Sequence, residues 1–251
     1  MINIKEILGN LPAEPREVGT IPEMGFYYRE TANSHEYYYD KRRMTGVTTV
    51  LNCIAKPNLI QWATDLAADY LHEIFTKTSS VTKGDVEAAK AQHTLKKEGA
   101  ADIGTRVHDA CEQFLKKGFL PNFEKDSVED KCFQNFKTWW GTDKKLIESE
   151  IKLHNLEYWY AGTCDFIYEQ GGKICLGDIK TSSAKRDWKS KEERYDLWDR
   201  TYHAQTAAYQ YAYESLTDKK VSGRIIVRIG KDGSFSTHES YAFEQDFAVF
   251  I

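Results

Sequence analysis

From about residue 147 the chain stops repeating its apolar residues every three or four positions and turns extended. "IESEIKLH" (147–154), "YWYAGTCDFIY" (158–168) and "KICLGDIKT" (173–181) read as three strands, with Gly171 and Gly172 supplying a two-residue turn between the last two. Upstream, apolar positions at helical spacing predict helices from Pro57 through Ile74, over about 102–117 with Gly118 as a stop, and over about 127–140. Two aromatic stretches, "GFYYRE" and "EYYYD", predict a hairpin over 25–40. Downstream come a helix over 202–216, the extended segments "SGRIIVRIG" and "SFSTHESYA" around the turn "KDG", and a short helical tail. That order predicts an α/β (α+β) fold: one mixed sheet flanked by helices.

The absence of any repeat, low-complexity tract or Pro/Gly-rich linker predicts one domain over residues 1–251. Within it, 1–45 is the hairpin region, 46–145 the helical part and 146–241 the sheet with its following helix. A net charge of −4 gives no whole-protein field for nucleic acid or anionic lipid, so a polyanion must be met by a local patch or by metal ions. The N-terminal stretch lacks the about 7–15 apolar residues of a signal peptide, and no segment approaches the roughly 20 of a membrane span. The expectation is a soluble, cytoplasmic protein without membrane contact. Five scattered cysteines, mostly within apolar runs and without a CxxC pair, read as reduced and buried, not as a zinc or iron-sulfur site.

Asp178 and Lys180 stand two apart on a strand, so their side chains share a face. Alone, such a pair is an ordinary strand-end ion pair. Asp165, set within "AGTCDFI", is stranger, because a carboxylate in an apolar strand needs a partner or a metal. If the two strands form the hairpin that Gly171 and Gly172 suggest, Asp165 and Asp178 lie near one another across the ladder. Two such carboxylates repel unless a cation sits with them, and Mg²⁺ or Mn²⁺ suits oxygen ligands. His108 sits at the edge of a helical apolar stripe with Glu112 one turn on, and Gln205 and Tyr209 form a second i, i+4 pair. Each of these alone also reads as structural.

Taken together, "GTRVHDACE" (104–112), "YAGTCDFI" (160–167), "GDIKTSS" (177–183) and "QTAAY" (205–209) resemble, in order and spacing, the RecB-type exonuclease branch of the PD-(D/E)xK nucleases. "TGVTTVLNCIAKPNLIQWA" (45–63) is similar to the N-terminal portion of the phage-encoded and mitochondrial genome maintenance exonucleases of that branch. The resemblance covers roughly residues 44–240. It implies a restriction-endonuclease-like core and a metal-dependent DNA nuclease, expected to be an exonuclease on single strands or DNA ends, serving recombination, replication or DNA processing. His108, Asp165 and Asp178 would ligate one or two Mg²⁺ or Mn²⁺ ions, joined by the backbone carbonyl of Ile179. Lys180 would act on the attacking water and the phosphate, Gln205 and Tyr209 would steady the site and meet the nucleic-acid backbone, and Glu112 and Glu150 would support it. Water attack in this family leaves a 5′-phosphate and a 3′-hydroxyl.

Relatives with an iron-sulfur centre carry cysteines beyond the last catalytic motif. This chain has none after Cys175. There is no GxxxxGK[ST] loop and hence no nucleotide cofactor, so strand separation or annealing would come from a helicase or annealing partner in trans. The connector 184–200 mixes six basic and five acidic residues with Trp188, Tyr195 and Trp198, a pattern that suits single-stranded DNA and a solvated helix equally. The alternatives are a catalytically inactive nuclease fold that binds nucleic acid or protein, and a purely structural α/β protein. A zinc protease is excluded, because "HE" at 72–73 is not continued into HExxH.

Overall fold

The computed structural model describes residues 24–31, 34–54, 57–182, 199–230 and 234–251; the connector 184–200 lies largely outside them, as does the turn "KDG". β1 (Phe26–Thr31), β2 (Ser34–Tyr39) and β3 (Arg42–Gly46) form an antiparallel meander. Its second turn is made by Asp40 and Lys41, both at positive φ (47° and 63°), the twist that two-residue hairpin turns need. α1 (Val47–Leu51), α2 (Pro57–Thr78), α3 (Lys83–Lys117) and α4 (Val128–Trp140) follow. Then come β4 (Lys144–Asn155), β5 (Tyr160–Gln170), β6 (Lys173–Ser182), α5 (Asp199–Thr217), β7 (Gly223–Gly230), β8 (Phe235–Ser240) and α6 (Phe243–Phe250).

The chain divides into two compact units: Ile54–Asp109, and Ala110–Ile251 together with the chain up to Cys53. The smaller holds α2 and most of α3. The larger holds the sheet and the other helices.

Local chemistry accounts for the helix ends. Thr82 and Asp85 cap each other at the start of α3: the Asp85 amide donates to the Thr82 hydroxyl (3.3 Å) and the Thr82 amide to the Asp85 carboxylate (2.8 Å). Gly118 at φ 65° ends the same helix, its amide donating to the Phe114 carbonyl. The Ser127 hydroxyl accepts from the Asp130 amide at 3.1 Å to open α4, and Gly141 closes it. α3 begins 19 residues before the predicted start at 102, since it spans Lys83–Lys117. Its first half, "KGDVEAAKAQHTLKKEG", is polar on nearly all sides, so helical propensity forms it without leaving an apolar stripe to read.

Eight strands make one mixed sheet in the order β1-β2-β3-β5-β6-β7-β8, with β4 also on β5. β4 covers one edge of β5 along its whole length, and the opposite edge is divided. β6 pairs antiparallel with Phe166–Gln170, turning at Gly171 and Gly172 (φ 57° and 77°), and β3 pairs in parallel with Tyr160 and Ala161. β6 then pairs in parallel with β7, and α5 lies between the two in sequence.

The core has aromatic and alanine portions. Phe136 and Trp140 of α4 meet Phe166 of β5 edge to face at 6.3 and 5.8 Å. Burial of each such ring contributes about 1.5–3 kcal/mol. α5 approaches the sheet closely because Ala204, Ala207, Ala208 and Ala212 are fully buried on it, and Tyr160 donates to the Ala208 carbonyl at 2.8 Å. Arg224 of β7 is also buried. Its guanidinium meets Gln210 of α5 at 2.6 Å, Ser240 of β8 at 3.1 Å and the Asp246 carboxylate of α6, so three elements contact one charge through its two terminal nitrogens. Among the described residues no helix is long and apolar enough to cross a membrane.

Candidate active site

The divided edge of β5 creates the site. Between the stretch held by β3 (160–161) and the stretch held by β6 (166–170), residues 162–165 have no strand partner on that edge among the described residues. Asp165 stands at the end of this gap, where β6 begins to leave. The last ladder pair is Phe166 with Gly177, so the next step sets Asp165 opposite Asp178. In place of a further ladder bond, the Asp165 carboxylate accepts the Ile179 amide at 2.6 Å. A strand residue sends its N–H and C=O to the same edge, so the Ile179 carbonyl also leaves toward Asp165.

Gly177 permits this closeness. A Cβ there would lie 2.1 Å from the Phe166 ring, so only glycine lets that ring cover the strand beside Asp178.

Asp178 is 1% exposed, and its carboxylate lies 2.7 Å from the Lys180 ammonium. Burial drives the Asp165 carboxyl well above the usual carboxylate range, and the neighbouring Asp178 pushes it further; Lys180 and the Ile179 amide pull the other way without prevailing. For Lys180, burial acts downward, yet Asp178 and Asp165 outweigh it and hold the ammonium charged above its ordinary value. Its side chain keeps 23% exposure and lies over the Tyr202 ring at 5.1 Å. A cation beside the buried Asp178 and the half-buried Asp165 is thus retained and reachable.

Glu150 extends the acidic row. On β4 it falls between the pairs Ser149 with Phe166 and Ile151 with Cys164, which sets it opposite Asp165 on the other edge of β5. Its φ of 54° breaks the ladder there, at a cost of roughly 1 kcal/mol or more for a residue with a Cβ. The Lys152 ammonium, bonded to the Glu150 carbonyl at 2.9 Å, supports that turned peptide. Burial raises the Glu150 carboxyl, Glu112 adds to the rise, and Lys152 opposes it. Glu112 itself pairs with Lys116 on α3.

From the helical side, Gln205 donates to the Tyr209 hydroxyl at 3.0 Å, both residues being buried. The Tyr209 ring lies on Gly162, where a Cβ would sit 2.6 Å from it. Burial and then Asp178 raise the Tyr209 phenol, which stays protonated beside the carboxylates.

The larger unit thus brings together Asp165, Asp178, Ile179, Lys180, Gln205 and Tyr209, with Glu150 and Glu112 along one side. His108 belongs to the smaller unit, half-buried on α3. Among the described residues no three His, Cys, Asp or Glu side chains form a group of the kind that holds a metal ion. The oxygen pair with Lys180 is the local arrangement, and its chemistry fits a hard divalent cation: a buried and a half-buried carboxylate that repel are relieved by added positive charge. No cysteine among the described residues forms a disulfide. Cys53 is exposed, unlike the buried expectation, while Cys111, Cys132 and Cys164 are buried.

Three participants escape a reading of the sequence. Tyr37 of β2 shares a hydrogen bond with the Thr163 hydroxyl at 2.9 Å, from 126 residues away, and Tyr202 underlies Lys180. Neither has a local signal. Gly162 does have one, since an isolated glycine in a buried strand marks the close approach of another group.

No protein-family model matches the chain, and no curated protein matches it either. Among solved structures it is similar to the crystal structure of SSO0001, with a TM-score of 0.34 and 16% identity over 77% of this chain and 64% of that one. The chain therefore spans less than two thirds of that structure's length, and so loose a likeness carries no argument about the site.

Proposed function

We propose that the protein is a metal-dependent deoxyribonuclease, an exonuclease that hydrolyses phosphodiester bonds in single-stranded DNA or at DNA ends. One observation carries this reading: Asp165 and Asp178 are drawn together at the parting of β5 and β6, with the Lys180 ammonium 2.7 Å from Asp178. A structural ion pair needs one carboxylate. A second, driven toward protonation by burial and by the first, is a standing cost that a cation-binding site offsets.

In this reading Asp165 and Asp178 hold Mg²⁺ or Mn²⁺, with the Ile179 carbonyl on the same edge. The ion supplies a more acidic water and neutralises charge on the phosphate. Lys180 places a fixed positive charge where negative charge grows during attack, at low reorganisation cost because the carboxylates and Tyr202 already hold it. The Gln205–Tyr209 pair keeps a neutral hydroxyl and an amide beside the carboxylates for contact with the nucleic-acid backbone. Glu150 and Glu112 set the electrostatic background. The enzyme would act in the cytoplasm, in recombination, replication or end processing, with helicase or annealing activity supplied by another protein.

The test is a digestion panel with Mn²⁺: linear and circular, single- and double-stranded DNA, labelled at either end. The native chain should degrade at least one linear substrate. Asp178→Asn and Lys180→Met should each lose about 100-fold or more in rate while keeping the native circular dichroism spectrum. Undiminished cleavage by both variants would sink the proposal, and an inactive native chain that still binds DNA would favour a binding module.

A further inference from the structure

A cleft of about 490 Å³ opens where β2 and β3 meet α1, and Tyr37 and Met44 form part of its wall. Tyr37 also belongs to the acidic site, because its hydroxyl bonds to Thr163, two residues before Asp165. Three exposed hydroxyl residues line the cleft, Thr45, Thr48 and Thr49. Arg43, 67% exposed, supplies its charge. The acid in the lining, Glu36, is engaged through one oxygen by the Arg29 guanidinium and the Tyr38 hydroxyl at 3.0 Å and through the other by Arg43 at 3.3 Å, so two guanidiniums face one carboxylate. With Arg29 offsetting Glu36, the local balance favours an anion. On the rim, the exposed His35 ring meets Tyr37 edge-on at 5.3 Å and Tyr28 at 6.1 Å, and Lys152 lies over Tyr28 at 5.1 Å. An exposed ring, His35, beside cations and hydroxyls suits a flexible polyanion with flat bases.

We propose that this cleft is the lane by which a single nucleic-acid strand reaches the carboxylate pair: Arg43, Thr48 and Thr49 take backbone phosphate, and His35 stacks on a base. The proposal rests on the nuclease reading and adds to it a strandedness and a direction of approach, along the β2–β3 edge. A duplex presents no free base face to His35, so the lane selects unpaired strand.

The test is fluorescence anisotropy of a labelled oligothymidine with the full chain in EDTA, titrated at several salt concentrations, beside a blunt duplex of equal length. Arg43→Gln should weaken binding and lower the slope of log Kd against log salt by about 0.7, the share of one phosphate contact on a single strand. His35→Ala should weaken binding roughly five-fold or more with the slope unchanged, as loss of a stacked base does. The double variant Thr48→Ala, Thr49→Ala should weaken binding as well, and all of these surface changes should leave the melting temperature in place. If the native chain binds and cleaves single strands but every variant binds as it does, the lane is elsewhere and the nuclease reading survives. Equal affinity for the duplex removes the single-strand selectivity and overturns the proposal. A native chain that neither binds nor cleaves any nucleic acid removes both.

Discussion

Burying a titratable side chain without a partner commits a protein to one protonation state, and His154 shows this as clearly as the carboxylates do. Its ring stacks on Phe26 at 4.3 Å and lies near Tyr39 at 5.5 Å, and its Nδ1 is buried with no hydrogen-bond partner. Burial lowers its pKa from 6.5 to about 4. The folded protein keeps this imidazole neutral while the unfolded chain protonates it near 6.5, so the unfolded state gains protons first as the pH drops. Stability is therefore level above about pH 6.5 and falls between there and about pH 4, by on the order of 2 kcal/mol after allowance for water reaching the half-buried ring. His154→Phe keeps the stack and removes the titration. Urea denaturation of both proteins across this range should show the loss in the native chain alone; parallel curves would place the acid sensitivity elsewhere. At this scale the closeness of Asp165 to Asp178 and the pairs Asp178–Lys180 and Gln205–Tyr209 are legible in the sequence from strand and helix intervals, while their joint role comes only from the family resemblance. Glu150 is legible as an acid on a strand, but its left-handed backbone is not, since nothing in "IESEIKLH" marks a break.

Among the elements β5 matters most, because it is divided between two partners on one edge. The pairing of β5 with β6 can be anticipated from the double glycine. That of β3 with β5 cannot, since "RRMTG" is short, charged and far away in sequence, and the match arises only once the tertiary fold exists. Gly162 holds the gap between these partners to its working width. In Gly162→Ala the new methyl would meet the Tyr209 ring at 2.6 Å and Val47 at 3.1 Å, and neither can swing aside, since the ring is buried under α5. The expected cost is about 1–3 kcal/mol in stability. A displaced Tyr209 should also lower any nuclease rate by more than the unfolded fraction explains. Chemical denaturation together with initial cleavage rates measured well below the melting temperature would check this, and a Gly162→Ala variant as active and as stable as the native chain would contradict it.

For the whole molecule, the proposed cation site predicts a stability that depends on metal. If Asp165 and Asp178 hold Mg²⁺ or Mn²⁺, the ion binds the folded chain alone, and at about a hundred times its Kd it should add about 2.7 kcal/mol. Tm should climb with metal concentration in the native protein. Asp165→Asn removes the repulsion and half of the pair, so it should melt as high as the native chain in EDTA and respond little to metal. A native Tm indifferent to both ions would count against the cofactor assignment, whatever the activity. The mixed sheet with flanking helices is readable from the order of periodicities along the chain. The two-unit organisation is not, because α3 runs through the boundary at Asp109 without a composition break.

The hydrogen bond from Tyr37 to Thr163 also has a consequence in time. The partners are 126 residues apart, and a ribosome adding about 5–20 residues per second needs roughly 6–25 s to cover that distance. For that interval the β1–β3 meander exists without β5, with its tyrosines and the β3 edge lacking their final neighbours. Lys180 and Tyr209 arrive later still. A nascent chain therefore holds no assembled carboxylate, lysine and tyrosine constellation until Tyr209 has been added, and whatever hydrolytic capacity the site has begins only when the second half of the larger unit closes on the first.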